Sequence, residues 1–72
     1  MKKINLKNVV WKEGRHYVSW NINTNVSSFG DTKKEALKAL EEALTLYFED
    51  MPAAKITKVE QLDVVPLELK YA

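Results

Sequence analysis

The chain has 72 residues with eleven basic and ten acidic side chains, which gives it a net charge of +1 at pH 7. A chain of this length forms one domain and buries only about 60% of the surface that its unfolded state exposes. We therefore expect marginal stability for a monomer, and a homo-oligomer as the source of further burial. The near-neutral charge provides no general attraction for a phosphate backbone or a membrane surface.

The absence of cysteine excludes disulfides and thiolate zinc sites, and it does not imply an oxidising compartment. No apolar stretch approaches the roughly 20 residues that span a bilayer. Residues 1–3, Met-Lys-Lys, are followed by polar alternation instead of the apolar core of a signal peptide. We expect a cytoplasmic protein without a membrane segment.

The first part of the chain predicts a β-hairpin. Ile4 and Leu6, followed by the apolar residues 9–11, indicate the first strand. Residues 12–15 predict a tight turn in which Gly14 supplies a positive φ.

The second strand has the two-residue period of a half-buried strand. Its apolar series alternates with a more polar one: His16, Val18, Trp20 and Ile22 against Arg15, Tyr17, Ser19 and Asn21. We expect the apolar series to face the core, with Tyr17 and Trp11 left for an uncovered face. After a turn at Asn23 and Thr24, residues 25–29 predict a third short strand, which completes an antiparallel meander.

A long helix with marked ends follows the meander. Gly30 lets the chain turn sharply into the cap. Thr32 is expected to accept a hydrogen bond from the Glu35 amide, while the Glu35 carboxylate reaches back to the Thr32 amide. Pro52 disfavours helical backbone at the residue before it, so the helix ends near Asp50. The expected buried face recurs at three- and four-residue steps: Leu37, Leu40, Ala43, Leu44, Tyr47 and Phe48.

Strand patterns return after the helix. Residues 56–62 predict a returning strand, and residues 65–72, which we call the tail, have a strand-like pattern. Pro66 lacks an N–H, so the tail is expected at an edge of the sheet. The order β-β-β-α-β predicts a two-layer α+β domain: a three-stranded antiparallel meander, one helix across it and a returning strand.

A set of motifs within residues 8–50 resembles those of a known family. The motifs are the hairpin with the Tyr-Val-Ser-Trp strand, Gly30, Thr32, the Glu35-Ala36 pair, the Glu42-Ala43-Leu44 run and Tyr47. In this register they resemble the HicB-like antitoxins, whose partial RNase H-like fold agrees with the predicted element order. The resemblance implies one HicB-like domain over residues 1–72. Such a domain would bind a small mRNA-cleaving toxin of double-stranded-RNA-binding fold and occlude its RNA site, or be a stand-alone relative.

The chain differs from that family in two places. Family members often carry a proline- and glycine-containing loop between the second and third strands, where this chain has Asn-Ile-Asn-Thr-Asn at residues 21–25. Full-length antitoxins usually add a DNA-binding helix-turn-helix or ribbon-helix-helix module, whereas only residues 51–72 follow the predicted helix here. We therefore do not expect this chain to bind operator DNA without an added domain.

The distribution of ionisable residues argues against an enzyme. RNase H-type catalysis needs several carboxylates that hold two metal ions about 4 Å apart, yet no acidic residue lies between Arg15 and Phe29. His16 is the only histidine and has no cysteine or facing carboxylate beside it. The serines of the predicted strands lack a second candidate base. We predict no catalytic residue, no metal site and no cofactor.

Two surfaces are candidates for binding. Four acidic residues of the helix form a candidate surface for a basic partner, or else an ordinary solvated helix face: Glu41, Glu42, Glu49 and Asp50. The apolar stripe of the tail is a candidate oligomer interface, or else a terminal strand docked on its own sheet: Val65, Leu67, Leu69 and Tyr71.

Nucleic-acid binding is the alternative function. Four aromatic residues lie on predicted strands, Trp11, Tyr17, Trp20 and Phe29, and the N-terminal region carries Lys2, Lys3, Lys7, Lys12 and Arg15. Aromatic side chains near cations are what a single-strand-binding platform requires. Trp20 is expected in the core, which leaves fewer exposed aromatic side chains for stacking on bases. We therefore interpret the aromatic residues as core or subunit interface.

Overall fold

The computed structural model describes residues 5–51 and 56–70. Within these ranges the chain forms β1 (Asn8–Glu13), β2 (His16–Asn21), β3 (Ser27–Gly30) and α1 (Lys33–Asp50). The strands form one antiparallel sheet in the order β1-β2-β3. The predicted α+β fold, a three-stranded meander followed by one helix, is confirmed.

Two turns connect the strands. Between β1 and β2, Gly14 has a φ of +63°, and this positive φ was predicted. Gly14 is the first residue of a two-residue turn, where type II′ turns have a positive φ. Between β2 and β3, Asn25 has a φ of 64°, a left-handed conformation that asparagine tolerates better than most residues. Its N–H donates to the Asn21 carbonyl oxygen at 2.9 Å. Each tight reversal of the chain therefore uses a residue suited to positive φ.

The helix lies on the opposite face of the sheet from the one that the alternation predicted. The Ser19 hydroxyl donates to the Ala36 carbonyl oxygen at 2.7 Å, and Ser19 and Asn21 are fully buried. Trp20, predicted to be core, is 37% exposed. The prediction was wrong because a small side chain at position 19 lets the helix approach closely, and the helix itself satisfies the Ser19 hydroxyl.

The helix begins and ends as predicted, with one difference in its cap. The Thr32 hydroxyl oxygen accepts from the Glu35 N–H at 3.1 Å. The Glu35 carboxylate accepts from the Asp31 N–H at 3.2 Å, one residue before the predicted partner. At the other end, the N–H of Met51 donates to the Tyr47 carbonyl oxygen. The Thr32 cap thus satisfies one of the N–H groups that the first turn of α1 leaves without a partner inside the helix.

The helix contributes a small core. Three apolar side chains are buried among the described residues: Ala36, Leu40 and Leu44. Ala43, Tyr47 and Phe48 are half-buried, and Leu37, predicted on the buried face, is 39% exposed. The buried stripe is thus centred nearer Ala36 than the periodicity predicted, because the helix makes its closest approach through that residue.

A glycine is required at position 30 because a side chain would not fit there. A Cβ at this position would lie 2.6 Å from the Ala36 backbone nitrogen and 2.8 Å from the Glu35 carbonyl carbon. Its φ is not in the left-handed region, so the glycine serves close packing of β3 against α1 instead of the sharp turn that was predicted. Gly30, Ser19 and Ala36 together form the point where sheet and helix come closest.

Asparagine side chains hold the end of the sheet together. The Asn21 Nδ2 donates to Asn8 Oδ1 at 2.7 Å, and Asn21 Oδ1 accepts from the Thr24 N–H at 2.9 Å. Asn23 Oδ1 accepts from the Lys7 N–H at 2.9 Å. The buried amides of Asn21 and Asn23 are therefore satisfied by nearby polar groups, as buried polar groups generally are.

The predicted returning strand does not form in residues 56–70. This segment pairs with no strand, and side chains hold its beginning: Asn23 Nδ2 donates to the Thr57 carbonyl oxygen at 2.7 Å and Lys7 Nζ to the Glu60 carbonyl oxygen at 2.9 Å. These side-chain bonds replace a backbone ladder. Residues 61–70 are all exposed.

Candidate binding surfaces

The sheet face opposite the helix carries a cluster of aromatic side chains. Paired residues of neighbouring antiparallel strands share a face, and the register pairs Val18 with both Trp11 and Phe29, and Trp20 with Val9. We call this surface the aromatic face. Its residues are Val9, Trp11, Glu13, His16, Val18, Trp20, Ser27 and Phe29.

The large side chains of the aromatic face reach solvent. Trp11 is 41% exposed, Trp20 37% and Phe29 68%. His16 lies edge-on to Phe29 with 6.2 Å between ring centroids. Its Nδ1 is 3.9 Å from Asp31 Oδ1 and it pairs with Glu13, so the expectation that no carboxylate faces this histidine was wrong. The prediction that Trp11 lies on an uncovered face is therefore confirmed.

Tyr17 was wrongly predicted on that face. It pairs with Lys12 and Gly30, so it lies on the helix side of the sheet and is half-buried. The aromatic platform considered from the sequence thus contains Trp11, Trp20 and Phe29 without Tyr17. The size of Ser19 was the available signal, because a serine between two larger residues of a strand marks a place where another element can approach.

A groove of about 590 Å³ lies between α1 and the start of the sheet. It forms because α1 packs more extensively on β3 and β2 than on β1. We call it the helix groove. Its apolar residues are Leu6, Leu37, Leu40, Leu44 and Phe48, and its polar ones are Asn8, Glu41, Thr45 and Glu49.

The acidic residues predicted as a partner surface divide into two pairs. All four are exposed, but Glu41 and Glu49 line the helix groove, whereas Glu42 and Asp50 do not. The last turn of α1 contains no basic residue. Carboxylates at the negative end of a helix dipole are unfavourable. In the free chain this acidic charge is therefore uncompensated, and Glu49 places part of it beside the apolar lining of the groove.

The described part of the predicted oligomer interface is exposed to solvent. Val65, Leu67 and Leu69 are between 74% and 81% exposed, and Val64 before them is 89% exposed. Tyr71, the last member of the predicted stripe, lies outside the described residues. Within residues 65–70, the tail is not docked on its own sheet.

Residues 5–51 and 56–70 include no group of three or more His, Cys, Asp or Glu side chains arranged to hold a metal ion. No helix in the described part of the chain is long and apolar enough to cross a membrane.

Comparison with known proteins identifies a family through nearly the whole chain. A family model matches residues 3–70, a range that includes the aromatic face, the helix groove and most of the tail. The chain matches no curated protein and no solved structure. Because the match covers far more than half of the sequence, the chain belongs to DUF7387, a family of unknown function.

Proposed function

We propose that this chain is a non-catalytic protein-binding module whose helix groove binds a basic segment of another protein. The observation that carries the proposal is an apolar groove bordered by Glu41 and Glu49. Apolar lining offers burial to a partner, and the acidic border selects partners whose apolar side chains are flanked by lysine or arginine. A basic amphipathic helix or strand has that chemistry.

The two parts of the groove contribute differently to binding. Burial of apolar surface provides affinity at about 25 cal/mol per Å², and the exposed side of Leu37 is available for it. Exposed ion pairs contribute only about 0–1 kcal/mol each, but charge complementarity speeds association and disfavours wrong partners. The absence of a basic residue in the last turn of α1 means that a basic partner also relieves the unfavourable dipole interaction of Glu49.

The motif resemblance of residues 8–50 supports a more specific form of the proposal. In that form the chain is a HicB-like antitoxin, or a stand-alone relative, and its partner is a small mRNA-cleaving toxin of double-stranded-RNA-binding fold. A surface that binds RNA phosphates is basic, so the acidic border of the helix groove is complementary to it. Neutralisation would be steric occlusion of the toxin's RNA site, with no chemistry performed by this chain.

Nucleic-acid binding is the second candidate, favoured by the exposure of Trp11, Trp20 and Phe29. The charges of the aromatic face argue against nucleic-acid binding. None of the eight residues of the aromatic face is lysine or arginine, and Glu13 is acidic. Lys12 belongs to the opposite face, and Lys2 and Lys3 lie outside the described residues. A stacking platform needs cations beside the aromatic rings to hold phosphates.

Charge reversal in matched pairs tests the proposal. The tagged full chain is used to retain proteins from its native lysate with and without nuclease. The retained partner is then identified, purified and titrated against Glu41→Lys/Glu49→Lys and against Glu42→Lys/Asp50→Lys, which has the same net charge. We expect a small basic protein, retained in both conditions, whose affinity falls at least tenfold for the first pair and less for the second. Ribonuclease activity of that partner, inhibited by the chain, would support the antitoxin form.

Two results would contradict the proposal. Equal affinities for the two charge-reversed variants and the unchanged chain would remove the helix groove from the binding site. Retention that disappears with nuclease, with an affinity for RNA or DNA that falls steeply with salt, would establish the second candidate instead.

A further inference from the structure

We infer that the aromatic face is the contact surface between two copies of this chain, and that residues 64–70 of each copy complete the contact. This inference is independent of the proposed function, because the aromatic face and the helix groove lie on opposite sides of the sheet. It rests on the charge, the area and the chain geometry of the exposed apolar residues.

Charge distinguishes the aromatic face from the helix side as a self-pairing surface. A two-fold interface places the same patch on both subunits, so concentrated charge of one sign repels itself. The aromatic face has only Glu13 and His16 as ionisable residues, and they are neighbours at one end of it. The last ten residues of α1 instead carry four carboxylates and no basic residue: Glu41, Glu42, Glu49 and Asp50. A second copy is therefore better accommodated on the aromatic face.

The area of the aromatic face alone is too small for a stable dimer. Fully buried aromatic side chains contribute about 150–250 Å² each. The exposed fractions of Trp11, Trp20 and Phe29, 41%, 37% and 68%, therefore correspond to about 300 Å² in total. A standard stable interface buries about 800 Å² on each partner. More than half of the required surface must come from elsewhere in the chain.

Residues 64–70 supply much of the missing area. Val64, Val65, Leu67 and Leu69 are between 74% and 89% exposed, and burial of such side chains removes roughly 100 Å² each from water. Residues 65, 67 and 69 have a two-residue spacing, which places their side chains on one side when the segment is extended. This stripe adds roughly 300 Å², so the stripe and the aromatic face together supply about 600 Å² per copy, the lower end of the standard range.

The path of the chain favours another copy over its own sheet. Side-chain hydrogen bonds hold Thr57 and Glu60 beside Asn23 and Lys7, and every residue from 61 to 70 is exposed. The longest dimension of the molecule is 50 Å and the shortest 19 Å, as expected for a segment that extends away from the domain. Pro66 cannot donate to a strand ladder, so the segment packs by its side chains across a neighbouring face.

Molar mass and tryptophan fluorescence test the inference on the full chain. Both tryptophans of the sequence, Trp11 and Trp20, lie on the aromatic face, so their emission reports burial of that surface directly. We expect a dimer by light scattering at micromolar concentration. Dilution should produce monomers together with a red shift of the emission.

Matched variants locate the interface. We expect Phe29→Lys, and separately Leu67→Lys/Leu69→Lys, to raise the dimer dissociation constant at least tenfold. The control is Leu46→Lys on the helix, because Leu46 is 64% exposed, close to the 68% of Phe29, and belongs to neither surface. Circular dichroism checks that each variant is folded. The tail variant keeps the test valid if Phe29→Lys fails to fold, because residues 67 and 69 lie outside the sheet and the helix.

Three results would overturn the inference. The first is a monomer at every concentration. The second is a dimer that dissociates without any change in tryptophan emission. The third is a dimer that Leu46→Lys weakens as much as the folded interface variants do. None of these experiments includes a partner protein. A result that overturns the dimer contact therefore leaves the proposed function of the helix groove untouched.

Discussion

Gly30 lies where the sheet and the helix come closest, and it is there because no side chain fits. The backbone nitrogen of Ala36 would be 2.6 Å from an added Cβ, well inside van der Waals contact. Backbone atoms cannot move aside as the end of a flexible side chain can, so the helix as a whole would have to shift.

We predict that Gly30→Ala lowers the free energy of unfolding by about 1–3 kcal/mol, the usual cost of overpacking. The measurement is urea denaturation followed by circular dichroism. Lys38→Ala is the control, because Lys38 is an exposed residue of α1 that belongs to neither the helix groove nor the aromatic face. Unchanged stability of Gly30→Ala would mean that α1 does not approach β3 as closely as described.

Individual residues also show what a sequence can and cannot predict. Gly14 and Thr32 were predicted correctly, because a positive φ and a helix cap depend on neighbours within a few positions. Ser19 and Asn21 were misassigned to the uncovered face, because their burial depends on partners distant in the sequence. The Ser19 hydroxyl bonds to Ala36, 17 positions away, so the alternation of β2 does not reveal this partner, and the small size of Ser19 is the one local signal of the covered face.

At the scale of elements, α1 combines a well-formed beginning with an unfavourable end. Its N-terminus has the Thr32 cap, whereas its last turn contains Glu49 and Asp50 and no basic residue. The helix bounds were predictable from these local signals. The position of the helix across β2 and β3, which opens the groove beside β1, was not, because it depends on the packing of Gly30, Ser19 and Ala36.

We predict that Glu49→Lys stabilises the free chain while weakening its binding of a basic partner. A cation in the last turn interacts favourably with the helix dipole, which is worth a few tenths of a kcal/mol at an exposed position. Thermal unfolding at low and high salt measures the first effect, since salt screens it. Opposite signs for stability and affinity are expected, and equal signs would contradict a functional origin of the acidic end.

At the scale of the whole molecule, the described core is small for the surface that it must support. Among residues 5–51 and 56–70 only three apolar side chains are buried, while the aromatic face and residues 64–70 remain open to water. Chain length favoured a homo-oligomer, which stays a prediction. The sequence pattern placed the interface on the tail and assigned Trp20 to the core, because the face of the sheet that the helix covers could not be determined from alternation.

We predict that the midpoint of thermal unfolding rises with protein concentration, because association stabilises the folded state by mass action. Differential scanning calorimetry over a hundredfold concentration range measures the effect. The variant Leu67→Lys/Leu69→Lys should unfold at a midpoint that is independent of concentration. A constant midpoint for the unchanged chain would mean that its folded state is stable without a second copy.

The contact of Gly30, Ser19 and Ala36 fixes how closely the helix lies on the sheet. An added Cβ at Gly30 would be 2.6 Å from the Ala36 backbone nitrogen, and α1 packs less extensively on β1, beside which the helix groove lies. Larger residues at this contact would move the helix away from the sheet and change the width of the groove. Three small residues that do not line the groove would thus decide how bulky a partner segment it admits.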